Sequence, residues 1–204
     1  MPDFQFERRH GGIIAGIDEA GRGPWAGPVV AAAVILDAET LTPELRDGLD
    51  DSKVLSRGCR EELFGLLAPC ASIGIGVAEV EEIDRVNILQ ASLLAMARAV
   101  AGLGVVPDHA LVDGNQPPTL ACPVSCIVKG DSQSLSIAAA SIVAKVSRDR
   151  LMSDLSDFFP GYGWERNAGY GTAEHKAALE RFGVTEHHRK SFAPIRKILS
   201  LTLG

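Results

Sequence analysis

The sequence predicts an α/β protein built on a mixed sheet flanked by helices. Three observations carry the prediction. Two apolar runs near the N-terminus, Ile13–Asp18 and Pro28–Leu36, are joined by a glycine-rich turn and read as an antiparallel pair. Further short apolar runs then alternate with stretches of helical period, the order that layers helices on a sheet. The 204 residues, 46% of them apolar, suffice for one core with at most a helical appendage.

Each further element has its own reason. Leu41–Ser56 is polar, carries turn signals and holds Asp50-Asp51-Ser52-Lys53. Arg57–Leu67 is helical and Pro69 ends it. Ser72–Val80 alternates as a third strand. Asn87–Gly102 places Leu89, Leu93, Ala97 and Val100 on one helical face. Ala110–Asp113 is a short buried strand that stops at an acid and Gly114. Pro123–Val128 is another, running into Lys129-Gly130-Asp131. A long helix follows from about Ser132 to Phe159. Gly161–Gly204 holds a loop, a helix near Ala173–Phe182 and a basic C-terminal segment.

Composition excludes several classes. No run of 18 apolar residues exists, so no membrane span is expected. The start, MPDFQFERRHGG, has no apolar stretch of the secretory type, so the protein is expected in the cytoplasm. Cys59, Cys70, Cys122 and Cys126 lack metal-site spacing and read as reduced thiols. The net charge of −6 argues against a protein that coats nucleic acid. That charge is uneven: residues 1–142 carry 10 Lys and Arg against 19 Asp and Glu (net −9), and residues 143–204 carry 10 against 7 (net +3). An acidic centre beside a basic flank suits an enzyme that gathers cations at one place and phosphates at another; a chance asymmetry of solvated charge is the alternative.

Acids sit at three strand ends: Asp18-Glu19, Asp113 and Asp131. Charge at the end of a buried strand is costly unless it is paired or bound to a metal. Carboxylates without His or Cys suit hard divalent cations. Two such ions about 4 Å apart activate water and stabilise a leaving oxygen. Neighbouring strand residues face opposite ways, so Asp18 and Glu19 share one cluster only if the strand ends, twists or bulges there. In the long helix, Asp131, Ser134, Ala138, Ser141, Lys145 and Arg148 recur at helical steps on one face. Asp131 is either a helix cap or a catalytic acid. Lys145 and Arg148 are either phosphate contacts or an ordinary solvated face. Arg22, between Gly21 and Gly23, suits a sugar hydroxyl or phosphate, and the 2′-hydroxyl separates RNA from DNA. The turn is neither a Walker loop nor a dinucleotide fingerprint.

These residues resemble bacterial ribonuclease HII. The likeness lies in Asp18-Glu19-Ala20-Gly21-Arg22-Gly23-Pro24, Ala26-Gly27-Pro28-Val29, Asp51-Ser52-Lys53, Val112-Asp113-Gly114, Lys129-Gly130-Asp131, Ala139–Val146, and Gly169-Tyr170-Gly171-Thr172 with His175. It spans residues 10 to 196 in one order. The resemblance implies an RNase H-like fold, with a catalytic core over 1–155 and a helical substrate-binding extension over 156–204, together one compact unit. It implies magnesium- or manganese-dependent, two-metal hydrolysis of RNA in RNA–DNA hybrids. It also implies cutting 5′ of single ribonucleotides in duplex DNA, leaving 3′-hydroxyl and 5′-phosphate ends. By position, Asp18, Glu19, Asp113 and Asp131 resemble the family's metal-holding carboxylates. Gly21, Arg22 and Gly23 resemble its 2′-hydroxyl reader, and Tyr170 its check on the neighbouring deoxyribose. Lys53, Ser141 and Lys145 are expected to meet phosphate.

The chain departs from the pattern at Trp25, where a leucine is expected. Ile198–Gly204 lacks a sliding-clamp tether, and a monomer is expected. Gly-Arg-Gly rather than Gly-Lys-Gly sets the chain apart from the type HIII relative. A four-way-junction resolvase of the same fold would need no 2′-hydroxyl reader. A non-catalytic nucleic-acid-binding module would bind in EDTA and release no product.

Overall fold

The computed structural model describes residues 1–202. One five-stranded sheet has the order β3-β2-β1-β4-β5, from β1 (Ile14–Ala20), β2 (Val29–Leu36), β3 (Ala71–Ala78), β4 (His109–Asp113) and β5 (Val124–Ile127). The β1–β2 and β2–β3 pairs are antiparallel, and the β1–β4 and β4–β5 pairs are parallel. The helices are α1 (Gln5–His10), α2 (Pro43–Gly48), α3 (Arg57–Leu67), α4 (Val80–Ala101), α5 (Leu135–Phe158), α6 (Trp164–Asn167), α7 (Ala173–Phe182) and α8 (Ala193–Thr202).

Strand alternation divides the core in two. Ala15, Ile17, Ala31, Ala33, Ala110 and Val112 face α4, where they meet Ile83, Ala91, Ala95 and Ala99. Ala32 and Val34 face the other way, onto α5 and the helices α2 and α3. From Leu135 to Ala144 every residue of α5 is buried, so this half of the helix has no solvent stripe. It lies close on β1 because Gly16 has no side chain: a Cβ there would sit 2.1 Å from the Ser136 carbonyl carbon. The far half of α5 meets a separate cluster formed by Ala26, Met152, Trp164, Leu179 and Ile195. Thus one helix carries both the sheet and the C-terminal helices.

The predicted elements are present, with informative differences. β1 runs two residues past Asp18, so both acids lie within the strand. α2 falls in the stretch read as turn-rich; Thr42 Oγ1 caps it by accepting from the Leu45 N–H, and Pro43 opens it. α4 starts seven residues before the predicted Asn87. Asn87 itself is non-helical (φ 72°), and its Oδ1 accepts from the Gln90 N–H. The apolar period therefore finds the second half of a kinked helix, while a reciprocal Glu79–Glu82 cap starts the first. Asp131 is not the cap of α5. Ser134 takes that place, accepting from the Ile137 N–H at 3.2 Å, and Asp131 sits in a short 3₁₀ turn, Gly130–Ser132. Residue 155 lies inside α5. No helix among the described residues is long and apolar enough to cross a membrane. The last two residues of Ile198–Gly204, where no clamp tether is read, lie outside the described residues.

Replacing Gly16 by alanine forces α5 off the sheet. The variant should lose about 1–3 kcal/mol of stability in urea unfolding; an unchanged midpoint would show that the helix can move aside freely.

Candidate active site

Main-chain register builds the centre. The parallel β1–β4 pairing sets Ile17 against Val112, so Asp18 and Asp113 come next, side by side on the face toward α5. Asp131 approaches from the 3₁₀ turn before α5. One oxygen of each of these three carboxylates lies within 4.8 Å of the others. The Glu19 N–H donates to Asp18 Oδ1 at 2.7 Å, and the Gly130 N–H donates to Asp113 Oδ1 at 2.7 Å. Each bond holds its carboxylate in one orientation.

Glu19 stands apart from this trio. Its strand position points to the α4 side, and its Oε1 accepts from Arg22 Nη1 at 3.2 Å. Its Oε2 is buried with no hydrogen-bond partner. Both acids nevertheless line one cavity of about 220 Å³, together with Gly21, Arg22, Gly23, Lys53, Asp113, Ser141, Lys145 and Tyr170.

Burial, and after it the crowding of like charges, shapes the electrostatics. Burial raises the Asp18 pKa well above the usual carboxylate range, and Glu19 and Asp113 add to the rise. Burial also raises Glu19, with Arg22 opposing. Asp131 is raised by burial, then by Asp113 and Asp51, with Lys53 opposing. The Lys53 ammonium lies 3.5 Å from Asp131 and 3.6 Å from Asp51. Burial disfavours that ammonium, but the surrounding Asp18, Asp51 and Asp131 outweigh it and raise its pKa. A buried all-oxygen cluster, an unpartnered Glu19 oxygen and strained carboxylate ionisation together fit a hard divalent cation.

Other expected contacts resolve differently. Ser141 is buried and donates to Ser52 Oγ at 2.7 Å, so its hydroxyl holds the Lys53 turn rather than facing phosphate. Lys145 pairs with Asp149 at 2.7 Å on the cavity wall. Arg148 is no phosphate contact: only 1% exposed, it donates to the carbonyls of Pro28 (2.9 Å), Ala168 (3.0 Å) and Ala26 (3.2 Å). Arg189, fully buried, donates to Gly21 (2.6 Å), Arg22 (3.0 Å), Gly27 (2.9 Å) and Pro28 (3.2 Å). These two guanidiniums grip the glycine loop from below with no carboxylate partner among the described residues. Burial lowers Arg148 to about 10 and, with Arg148 beside it, Arg189 to about 9. Arg189 escapes sequence reasoning because His-His-Arg-Lys looks like a solvated basic tail. Trp25 fits because Gly171 is bare: a Cβ there would lie 2.2 Å from its ring.

The ribonuclease HII family model matches residues 15–195. The chain belongs to the ribonuclease HII family. It is similar to Ribonuclease HII of Paramagnetospirillum magneticum, at 62% identity over 98% of this chain and 99% of that one. It is also similar to the crystal structure of ribonuclease H2 from Pyrococcus horikoshii, with TM-score 0.76 and 28% identity over 92% of this chain and 97% of that one. A Bst-RNase HIII structure in complex with Mn2+ shares the fold, with TM-score 0.77 and 20% identity over 98% of this chain and 74% of that one. The RNase H-like mixed sheet expected from the sequence is therefore present. As a ribonuclease HII, the chain is an endoribonuclease that hydrolyses the RNA of RNA–DNA hybrids with divalent metal.

Because folding raises the Asp18 pKa, the metal-free protein loses stability as pH rises from the ordinary carboxylate pKa through the raised one. Asp18→Asn removes that loss and keeps an acceptor for the Glu19 N–H. In EDTA at neutral pH the variant should melt above the parent, with the gap closing as pH falls toward the ordinary carboxylate range. A lower melting point at neutral pH would contradict the burial penalty.

Proposed function

We propose that this ribonuclease HII also cuts 5′ of a single ribonucleotide embedded in duplex DNA, leaving 3′-hydroxyl and 5′-phosphate ends. One observation carries the reading: Asp18, Glu19 and Asp113 line one cavity with the Gly21-Arg22-Gly23 loop and Tyr170, and Asp131 stands beside Asp18 and Asp113. Asp18, Asp113 and Asp131 would hold magnesium or manganese, with Glu19 completing the ligand set. The chemistry such ions supply when bound is activation of water and neutralisation of charge at the scissile phosphate.

The chain's own residues do the rest. Arg22, half-exposed beside the two glycines, meets the 2′-hydroxyl side of the sugar with the loop amides. The Tyr170 ring, 47% exposed, packs on the next deoxyribose. Lys53, held by its Asp51-Ser52 turn, meets phosphate beside the carboxylates, and Lys145 meets it from α5. Ser141 serves by fixing Ser52. Residues 156–204 form the substrate-binding extension of one compact unit, and the enzyme works as a cytoplasmic monomer.

A labelled DNA duplex carrying one ribonucleotide tests the reading, with magnesium, manganese or EDTA and an all-DNA control. Cleavage 5′ of the ribonucleotide in either metal, and none in EDTA or on DNA alone, is expected. Asp113→Asn should keep the fold and reduce turnover by at least about a hundredfold; near-normal turnover would remove Asp113 from the centre. Arg22→Ala should weaken cleavage of the single-ribonucleotide duplex more than it lowers the melting temperature, and unaltered cleavage would refute its role.

A further inference from the structure

Behind Tyr170 lies a buried pair of histidines that the reaction itself does not use. His175 Nε2 and His188 Nε2 are 3.0 Å apart, and both residues are fully buried. Two nitrogens facing each other at that distance share one hydrogen, and their neighbours decide which carries it. The Thr185 N–H can only donate, and it meets His188 Nδ1 at 3.0 Å. His188 Nδ1 is therefore the acceptor, and its Nε2 bears the hydrogen. On the other side, the Trp164 indole N–H also only donates, and it meets His175 Nε2 at 3.2 Å. His175 Nε2 is therefore the acceptor, and its Nδ1 bears the hydrogen. Two independent donors thus lead to the same assignment.

The remaining group fixes what the arrangement is for. His175 Nδ1 lies 3.0 Å from the Tyr170 carbonyl oxygen. With the hydrogen on Nδ1, His175 donates to that oxygen, which also accepts from the Thr172 N–H at 2.8 Å. The Tyr170 ring stands on the cavity wall opposite Gly23, where a Cβ would lie 3.3 Å from its Cε1. A shift of the Tyr170 peptide would change that gap directly.

We infer that His175 is a positioning residue for sugar recognition: its Nδ1–H, fixed in that tautomer by Trp164 and His188, holds Tyr170 at the cavity edge. The inference rests on the role proposed for Tyr170. Burial keeps both rings neutral, lowering His175 and, with His175 beside it, lowering His188 to about 3. The relay therefore keeps its hydrogens in place throughout the neutral range.

Two amide substitutions separate its halves. In His175→Asn the amide nitrogen stands near the original Nδ1 and keeps a donor toward Tyr170. In His175→Gln the amide reaches the Nε2 side and abandons the Tyr170 carbonyl. His175→Gln should lower kcat/KM on a single-ribonucleotide duplex by about tenfold to a hundredfold, with His175→Asn restoring most of the loss. In a Tyr170→Ala background, His175→Gln should have little further effect. Equal losses in both backgrounds, or equal losses for Asn and Gln, overturn the proposal while leaving the role of Tyr170 standing. A Tyr170→Ala protein that cleaves normally overturns that role and the proposal with it. Nitrogen NMR of the unaltered protein with isotope-labelled histidine reads the tautomer without any substitution; a hydrogen on His175 Nε2 rather than Nδ1 overturns the proposal.

Discussion

Asp18 and Asp113 stand together because two parallel strands pair in register, not because anything draws their side chains together. Burial of a carboxylate opposes folding, like charges beside it add to the cost, and the raised Asp18 pKa is the sign of both. The fold offsets the strain piecemeal. The Glu19 and Gly130 amides each hold one oxygen, and Lys53 brings a cation against Asp131. The sheet itself is fixed from above by α5, which lies on β1 at backbone distance over Gly16. A centre that repels itself needs such a rigid frame, and a divalent cation is the natural partner for what remains uncompensated.

A second frame supports the glycine loop. It is built from the far half of α5 and the segment around Arg189, and through Arg148 it borders the cavity that Asp18 and Asp113 line. Its cations are turned inward to main-chain oxygens, whereas Arg22 and Lys53 are turned toward the cavity. Helix α5 spans both frames, lying on β1 at Gly16 and reaching the loop through Arg148. Trp25 belongs to this second frame: its amide donates to the Gly169 carbonyl at 2.8 Å, and its ring fills the space that Gly171 leaves open.

Much of this was legible in the sequence, because apolar period and glycine turns report strands, helices and loop starts directly. Arg57–Leu67 and Ala173–Phe182 match their predicted bounds, since Ser56 and Thr172 are efficient caps. The carboxylates were legible as acids closing apolar runs. The first turns of α4 were not, because they depend on a Glu79–Glu82 cap ahead of a kink at Asn87. The division of labour between Asp18 and Glu19 was not legible either, since it depends on how far β1 runs beyond Asp18. Arg148 looked like a surface cation by helical spacing, yet tertiary packing buries that face under the loop at Ala26 and Pro28. Arg189 lies far along the chain from its partners at Gly21–Pro28, and nothing local marks a basic tail as interior.

The carbonyl grip of Arg148 and Arg189 has a consequence for how the enzyme behaves in electrolyte. Contacts between exposed cations and a nucleic-acid backbone weaken steeply as salt rises, because counterions compete for the phosphates. Guanidiniums buried against peptide oxygens are shielded from mobile ions by the protein around them. Ionic strength can therefore loosen the hold on the duplex while the loop beneath it keeps its shape. Tightness of binding and geometry of the sugar-facing loop are thus governed by separate sets of charges.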